Sequence, residues 1–255
     1  MPSLFAPPSP GVYEYTESLT FHFSDPSSLS DESTTVGQVW AYTVRTYLEL
    51  DKTGTVWSAS IQGAPQKAKL LVSRQEFDSS EEGQALRSAL APITSQPVHS
   101  AAYQFGREAA FHSTYDTVCV MFTFRFSDPV GSDSGAQWDA LHGDFSRAIM
   151  KSPGGVVASG CTYGWSLDRE SFCAAFRYLN RDSMESFLGG GEGRVLMEAL
   201  RSRASAGVEV EYLDTRKFDR GWHGSVDKTF PDNPKLEALF SGITGEMCRV
   251  MRGVQ

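Results

Sequence analysis

Three residues of the sequence have side chains suited to acid–base or anion chemistry: His142, His22 and Arg125. His142 follows Trp138 by four residues and precedes Phe145 by three. A helix would therefore carry Trp138, His142 and Phe145 on one face. We expect that face to point inward. An inward histidine is either a core residue hydrogen-bonded to a backbone carbonyl, or a general base or orienting donor.

His22 and Arg125 occupy matching positions in two similar segments, Leu19–Phe23 and Phe122–Phe126. Side chains alternate along a strand, so His22 and Arg125 share one face while the phenylalanines share the other. The phenylalanine face is either core or the wall of a cavity. If the polar face lines the cavity, His22 becomes an acid–base residue and Arg125 an anion-binding residue.

Several aromatic side chains are predicted to bind substrate, although an ordinary packing role is possible for each. Tyr163 and Trp165 lie near a hairpin turn and could stack on a planar molecule. Tyr103 and Tyr212 end matching strands and are candidate hydroxyl donors. The predicted set also contains two tryptophans that open helix-like segments and an aromatic–histidine pair in the C-terminal tail: Trp40, Trp138, Trp222 and His223.

The segments that must position these residues form a repeat. The tetrapeptide Phe-Ser-Asp-Pro occurs at Phe23–Pro26 and at Phe126–Pro129, each time after an alternating, strand-like run. Each copy is followed by a polar loop and a tryptophan-bearing helical segment. A repeat of about 100 residues has the size of a domain rather than of a solenoid element.

Both repeats have the predicted element order β-α-β-β-α-β. In the first repeat, apolar periodicity predicts strands at Leu19–Phe23, Val56–Ile61, Lys69–Val72 and Val98–Phe105. The predicted helices are Val36–Leu50 and one that begins at Asp78, and a turn at Gly63–Pro65 joins the second and third strands. In the second repeat, the predicted strands are Thr117–Phe126, Val156–Tyr163, Phe172–Leu179 and Val208–Leu213. The predicted helices are Trp138–Met150 and one that begins at Asp182, is interrupted at Gly189–Gly193 and resumes at Val195–Arg201.

The predicted fold class is therefore α+β, with two tandem ferredoxin-like units at 13–106 and 107–218. One such unit leaves one face of its sheet without helices, so the two units are predicted to cover each other as an intrachain, pseudo-dimeric α/β barrel. The second repeat would supply what a partner subunit supplies, which predicts a monomer. The segment 219–255 is a tail that could fold over one end as a lid.

Composition argues against several function classes. The net charge is −8 without a basic cluster, which argues against nucleic-acid partners. No uncharged apolar run approaches the roughly 20 residues that span a bilayer, and residues 1–10 lack the basic and apolar regions of a secretion signal. We therefore expect a cytoplasmic protein without a membrane partner. The four cysteines share no CxxC spacing and are predicted to be reduced.

No metal or organic cofactor is expected. The sequence contains no HExxH motif, no paired Cys/His ligand spacing and no Gly-x-Ser-x-Gly elbow. The glycine cluster Gly189–Gly193 follows a helical segment and lacks the Lys-Ser/Thr pair of a phosphate loop. Haem would need an axial ligand, a role that is open to His142 or His22.

The element order, the tryptophan-bearing first helices and a final strand that ends Asp214-Thr215-Arg216-Lys217 resemble the dimeric α/β-barrel superfamily. That superfamily includes antibiotic-biosynthesis monooxygenases, stress-responsive A/B-barrel proteins and polyketide cyclases of similar fold. The resemblance covers Tyr13–Phe218 and implies a barrel that holds a small hydrophobic molecule. Most members work without metal or organic cofactor, and a minority bind haem.

Two function classes follow from the resemblance. The first is a cofactor-independent enzyme that acts on a polyketide- or terpenoid-like intermediate by cyclisation, carbon–carbon bond cleavage or isomerisation, through general acid–base catalysis. A cofactor-free or haem-dependent monooxygenase of the same fold is an alternative enzyme. The second class is a non-catalytic stress protein that binds the same kind of small molecule. Some positions carry a polar residue in one repeat and a different residue in the other, such as His142 where the first repeat has Val44. This asymmetry favours the enzyme, because it suits a single shaped site.

Overall fold

The computed structural model describes residues 16–25, 31, 33–50, 55–72, 84, 87–88, 90–105, 118–155 and 161–219. These residues are α+β, as the sequence predicts, and the strand pairs below are antiparallel. The strands are β1 (Thr16–His22), β2 (Thr55–Ile61), β3 (Ala64–Val72), β4 (His99–Phe105), β5 (Val118–Arg125), β6 (Cys161–Ser166), β7 (Ser171–Tyr178) and β8 (Gly207–Asp219). The helices are α1 (Thr35–Leu50), α2 (Ser132–Lys151), α3 (Arg181–Gly189) and α4 (Gly191–Arg203). None of these helices is long and apolar enough to cross a membrane.

Two compact units divide the chain. The N-terminal unit contains Thr16–Ala101 and the end of β8 from Arg216, and the C-terminal unit contains Ala102–Thr215. Strands β4 and β8 therefore contribute residues to both units. The ranges 13–106 and 107–218 that the sequence favours stay a prediction.

The N-terminal unit has the strand order β1-β3-β2 and packs helix α1 against one side of this sheet. Thr34 caps the helix, because its hydroxyl accepts a hydrogen bond from the Gly37 backbone N–H at 3.0 Å. Alternation along β1 directs Phe21 toward the helix, where it is fully buried against Trp40. The hairpin between β2 and β3 turns at Gly63, whose φ of 79° is the left-handed conformation that glycine adopts most readily.

The C-terminal unit has the strand order β8-β5-β7-β6, and the end of β4 pairs with β6. The register places Met121 of β5 opposite Ala175 of β7 and Glu211 of β8. The phenylalanines of β5 and β7 form one apolar cluster with Trp138 of α2 and residues of α3 and α4, which defines the helix-facing side of this sheet. Asn180 caps the N-terminus of α3, because its side-chain oxygen accepts a hydrogen bond from the Ser183 backbone N–H at 2.8 Å.

Both units show the same local contacts around their first strands. Phe21 meets Trp40 edge to face with ring centroids 5.3 Å apart, and Phe124 meets Trp138 in the same way at 4.9 Å. The carbonyl of the last residue of β1 and that of the last residue of β5 also accept matching backbone hydrogen bonds. The two bonds run from Ser95 N–H to the His22 oxygen at 2.7 Å and from Ala206 N–H to the Arg125 oxygen at 3.0 Å. Matching positions of the repeated sequence therefore have matching surroundings.

Several element bounds differ from the predicted ones, and three of them show the physical reason. Helix α2 begins at Ser132 rather than Trp138, because its first turns are polar and mostly exposed and so lack apolar periodicity. Strand β3 begins at Ala64, inside the predicted turn, and the hairpin loop is correspondingly shorter. Strand β8 continues to Asp219, beyond the predicted end at Leu213. Strand ends follow main-chain pairing, which apolar alternation does not report.

Candidate active site

The side of the C-terminal sheet that is turned away from the helices carries polar side chains, and we call it the polar face. Alternation builds it, because residues of β5 and β7 between the helix-facing phenylalanines point the opposite way. Cross-strand register then arranges the side chains in rows. The first row contains Arg125, Ser171, Ser166 and Tyr103; the second contains Glu209, Thr123, Cys173, Gly164 and Phe105; the third contains Glu211, Met121, Ala175 and Thr162.

A pair of hydroxyl groups forms the centre of the first row. The Ser171 hydroxyl donates a hydrogen bond to the Tyr103 phenol oxygen at 3.4 Å, and both residues are buried. The end of the β6–β7 hairpin fixes Ser171, whose backbone N–H donates to the Ser166 hydroxyl oxygen at 2.9 Å. Ser166 in turn donates to the Asp168 carboxylate at 2.5 Å. The phenol therefore contacts a hairpin end that is itself fixed by hydrogen bonds.

Burial dominates the electrostatics of Tyr103. Removal from water raises the pKa of the phenol far above its usual value of 10.0, and the nearby Cys173 thiol raises it further. The hydrogen bond from Ser171 and the positive charge of Arg125 act in the opposite direction. The phenol stays protonated at neutral pH, so Tyr103 can donate a hydrogen bond to a negatively charged oxygen but cannot serve as a base.

An ion pair lies at the solvent-exposed edge of the polar face. The Arg125 guanidinium contacts the Glu209 carboxylate at 3.2 Å, and their side chains are 45% and 36% exposed. Screening by water makes such a pair a minor contributor to stability. The position of this pair matters for the site, because Arg125 brings a permanent positive charge to the row that contains Tyr103.

Apart from Glu209 and Phe105, which are partly exposed, the second and third rows are buried. Thr123 and Cys173 lie opposite each other on β5 and β7, and Cys173 is a thiol rather than half of a disulfide. Glu211 is only 5% exposed although it carries a carboxyl group, and its direct neighbour across the strand pair is Met121. A buried carboxyl on a face that also holds a phenol and a guanidinium is a combination typical of acid–base sites.

The histidine that the sequence singles out lies on the other side of this sheet. His142 points inward from α2, as predicted, and is 1% exposed. Its ring centroid lies 4.7 Å from that of Phe172 and 4.8 Å from that of Tyr163. Burial lowers the pKa of the imidazole to about 3, and Nε2 has no hydrogen-bond partner among the described residues. His142 is therefore a neutral imidazole in an aromatic cluster, and its role as a general base stays a prediction.

Most of the aromatic residues that the sequence favours for substrate binding also lie on helix-facing sides. Trp165 donates from its indole Nε1 to the Asp139 carboxylate at 3.1 Å, and the Arg181 guanidinium stacks over the Tyr212 ring at 4.4 Å. The apolar clusters of the two units contain the remaining described members of the set, Trp40, Trp138 and Tyr163. Trp222 and His223 lie outside the described residues.

The structure brings together two of the predicted residues, Tyr103 and Arg125, on the polar face. His22 belongs to the N-terminal unit, where it ends β1 on the side turned away from α1. Alternation from Phe21, which faces α1, sets that orientation.

Sequence reasoning missed several residues of the polar face. Ser171, Cys173 and Glu211 each occupy an alternate position of a strand, which was the available signal. Their significance depends on which strands are paired, and the register supplies that information. Among the described residues, no group of three His, Cys, Asp or Glu side chains is arranged to hold a metal ion.

Solved structures with the same fold come from proteins of very low sequence identity. A candidate monooxygenase from Fusobacterium nucleatum is 9% identical, with a TM-score of 0.56 over 83% of this chain and 96% of that chain. An anthrone oxidase-like protein is also 9% identical, with a TM-score of 0.57 over 83% of this chain and 95% of that one. A candidate monooxygenase from Lactobacillus acidophilus is 8% identical, with a TM-score of 0.51 over 82% of this chain and 98% of that one.

These likenesses establish a shared fold, which agrees with the superfamily resemblance of the sequence. No protein-family model matches the chain. No curated protein matches it either.

Proposed function

We propose that the chain is a cofactor-independent enzyme that forms the enolate or phenolate anion of a hydrophobic, polyketide-like intermediate and directs this anion to react with dioxygen. The observation that carries the proposal is the composition of the polar face. A buried phenol, a guanidinium and a buried carboxyl group share one side of a single sheet in the C-terminal unit.

Tyr103 and Arg125 are the proposed oxyanion-stabilising residues. The raised pKa of Tyr103 keeps its proton available for a hydrogen bond to the developing oxyanion. Arg125 in the same row supplies positive charge and further N–H donors. Loss of one such donor typically slows an enzyme by about 10²- to 10³-fold.

Glu211 is the proposed proton acceptor. Its row is four residues along β5 from the row of Arg125, which corresponds to about 13 Å at the rise of a strand. A fused-ring substrate that lies obliquely across the polar face could meet the first row at one end and Glu211 at the other. The carboxylate would take a proton from an acidic C–H or O–H group while Arg125 and the phenol bind the resulting oxyanion.

The fold neighbours favour oxygenation as the fate of this anion. Two of them are candidate monooxygenases and one is anthrone oxidase-like. In such a reaction the methylene group of an anthrone loses two hydrogen atoms and gains one oxygen from O2 to become a carbonyl, and the second oxygen leaves as water. The protein would contribute deprotonation and orientation, and dioxygen is the oxidant.

Cyclisation, carbon–carbon bond cleavage and isomerisation of a polyketide- or terpenoid-like intermediate form the second candidate. These reactions begin with the same anion, and the same acid–base groups would suffice without dioxygen. The superfamily resemblance is also compatible with a haem-dependent monooxygenase and with a non-catalytic protein that binds small molecules.

The finer architecture belongs to this proposal as well. We propose that each repeat is a ferredoxin-like unit and that the two sheets close into one pseudo-dimeric barrel. Support comes from the matched Phe–Trp contacts and terminal hydrogen bonds of the two units. Strands β4 and β8, which contribute residues to both units, also support it.

Oxygen uptake with 1,8-dihydroxyanthrone tests the proposed reaction. We expect the metal-free protein to accelerate uptake and to produce the anthraquinone, with no turnover under argon. Glu211→Gln should lower the rate by about 10²-fold or more, whereas Glu198→Gln, on an exposed helix face, should not. Turnover under argon to a cyclised or isomerised product would favour the second candidate. Equal rates for both variants and the wild type would remove Glu211 from the mechanism.

A further inference from the structure

A buried hydroxyl of the polar face has no hydrogen-bond partner within the part of the chain that the structure describes. It belongs to Thr162 of β6, which is 2% exposed. The register places Thr162 opposite Ala175 of β7, in the third row. A buried hydroxyl without a partner costs free energy, and folded proteins contain few of them. A hydroxyl at such a position points to a bound molecule as its partner.

The residues beside Thr162 on the polar face are small. Ala175 lies directly opposite it, and Gly164 follows two residues later on the same side of β6. Cys173 lies opposite Gly164, one row nearer to the first row. Met121, the next member of the third row, has an unbranched side chain that can adapt its shape to a ligand. These residue types suit a flat molecule that lies over β6 and β7 and reaches the Thr162 hydroxyl.

The same row of the other repeat has larger residue types. The aligned Phe-Ser-Asp-Pro motifs and the strand registers match Leu71 of β3 to Ala175 of β7. Trp57, which the register places opposite Leu71, occupies the position that corresponds to Thr162. A small residue and a hydroxyl at these two positions are therefore specific to the C-terminal unit, which also carries the residues of the proposed reaction.

Thr162 and Glu211 stand at opposite ends of the third row. Three strand spacings separate them, which corresponds to about 14 Å between their Cα atoms. Thr162 also precedes Ser166, the cross-strand neighbour of Tyr103, by four residues of β6, or about 13 Å. A fused-ring substrate that contacts the first row and Glu211 would therefore turn another edge of its ring system toward Thr162.

From this arrangement we infer that Thr162 determines substrate specificity by forming a hydrogen bond with an oxygen substituent on that edge. A threonine hydroxyl both donates and accepts, so an alcohol, a phenol or a carbonyl oxygen suits it. A site that satisfies a buried polar group through its ligand discriminates against an analogue without the matching group. The inference rests on the proposed function for the placement of the ring system, and it narrows the substrate class to fused-ring compounds with such an oxygen substituent.

Binding of two anthraquinones, the product class of the proposed oxygenation, tests the inference without turnover. The probes 1,8-dihydroxy-3-hydroxymethylanthraquinone and its 3-ethyl analogue have nearly the same shape and differ in one hydroxyl group. By fluorescence titration we expect the wild-type protein to bind the hydroxymethyl compound about tenfold more tightly. Thr162→Val removes the side-chain hydroxyl, keeps the shape and should abolish this preference. Thr162→Ser keeps the hydroxyl and should retain the preference.

Urea unfolding gives a second readout. Because the Thr162 hydroxyl has no partner among the described residues, Thr162→Val should not lower the unfolding midpoint. Thr43→Val is the matched control, because Thr43 of α1 is a buried threonine whose hydroxyl donates to the Val39 carbonyl oxygen at 2.8 Å. The control should lower the unfolding midpoint and leave the binding preference unchanged.

Several outcomes would overturn the inference. They are failure of the wild type to bind either probe, equal affinity for both probes, and a preference that survives Thr162→Val. A midpoint lowered as much by Thr162→Val as by Thr43→Val would also overturn it, because the hydroxyl would then have a partner within the protein.

Oxygen uptake tests the proposed function separately. A preference that depends on the Thr162 hydroxyl, without any uptake with anthrones, would refute the proposed oxygenation and keep the binding role of Thr162. Uptake without the preference would refute the inference alone.

Discussion

Burial has opposite effects on the two titratable rings of the C-terminal unit. It raises the pKa of Tyr103 and lowers that of His142, and in each case it favours the neutral form. Neutral tyrosine still carries an acidic proton, and the Ser171 hydroxyl holds its oxygen in place. Neutral His142 lies among phenylalanine rings. The phenol is therefore equipped to donate to a substrate, whereas the imidazole has the surroundings of a core residue.

The lowered pKa of His142 predicts a specific pH dependence of stability. The folded state takes up this proton only near pH 3, whereas the unfolded state takes it up near 6.5. Between these values the unfolded state binds more protons, so the free energy of unfolding falls as the pH drops below 6.5, by up to about 1.4 kcal/mol per pH unit. Phenylalanine cannot titrate, so His142→Phe should remove this part of the pH dependence.

Urea unfolding of the wild type and His142→Phe between pH 4.5 and 8 measures the effect. We expect the difference in unfolding free energy to be constant above pH 7 and to shift in favour of the variant below pH 6.5. Parallel profiles would show that the imidazole is not buried in neutral form. Turnover supplies a separate readout, because loss of a general base would cost about 10²- to 10⁴-fold at pH 7.

Single-residue patterns revealed only part of the site. The spacing of Trp138, His142 and Phe145 correctly predicts one inward helix face. The sequence predicts Tyr103 as a hydroxyl donor but gives no signal for its hydrogen-bond partner Ser171, because the two are 68 positions apart in the chain. Contacts between strands that are distant in sequence depend on register, which one sequence does not encode in its local pattern.

At the scale of elements, the pairing of β4 with β6 carries Tyr103 to the polar face. The register places Tyr103 opposite Ser166 and Phe105 opposite Gly164. A Cβ atom at Gly164 would lie 2.0 Å from the Gln104 carbonyl oxygen. Glycine is therefore required at this position by close approach of two backbones, which is a recurrent reason for glycine inside a strand.

Gly164→Ala should separate β4 from β6. We expect a loss of about 3 kcal/mol or more in unfolding free energy, since backbone atoms rather than a flexible side chain oppose the new methyl group. Gly189→Ala is the matched control, because no atom lies within 4 Å of its Cβ position and α3 is helical there. That control should be neutral or stabilise by up to about 1 kcal/mol. Urea unfolding of both variants measures the two changes in unfolding free energy. A stability loss in Gly164→Ala no larger than in the control would refute this account of the β4–β6 pairing.

Element types were predicted better than element ends. The alternation at Leu19–Phe23 and the helical period of Val36–Leu50 identified β1 and α1, because each buries a regular apolar stripe. The polar start of α2 and the extension of β8 to Asp219 lack such a stripe. Main-chain hydrogen bonding determines those ends.

At the scale of the whole molecule, the repeat leads to a prediction about assembly. If each repeat supplies what a partner subunit supplies in shorter relatives, the chain needs no second copy. We expect light scattering to give a mass close to 28.0 kDa, independent of protein concentration. A stable mass of twice that value would contradict the monomer and would require the pseudo-dimer hypothesis to be revised.

The most direct test of the proposed active site is the rate of 1,8-dihydroxyanthrone oxidation by Tyr103→Phe. The substitution removes the phenol hydroxyl and keeps the ring, and Tyr178→Phe is the matched control, a buried tyrosine of the same sheet in the helix-facing cluster. We expect Tyr103→Phe to lower kcat by about 10²-fold or more with a change in unfolding free energy of about 1 kcal/mol, and Tyr178→Phe to keep its rate. Unchanged kcat in Tyr103→Phe would contradict the assignment of the oxyanion-stabilising site to the polar face.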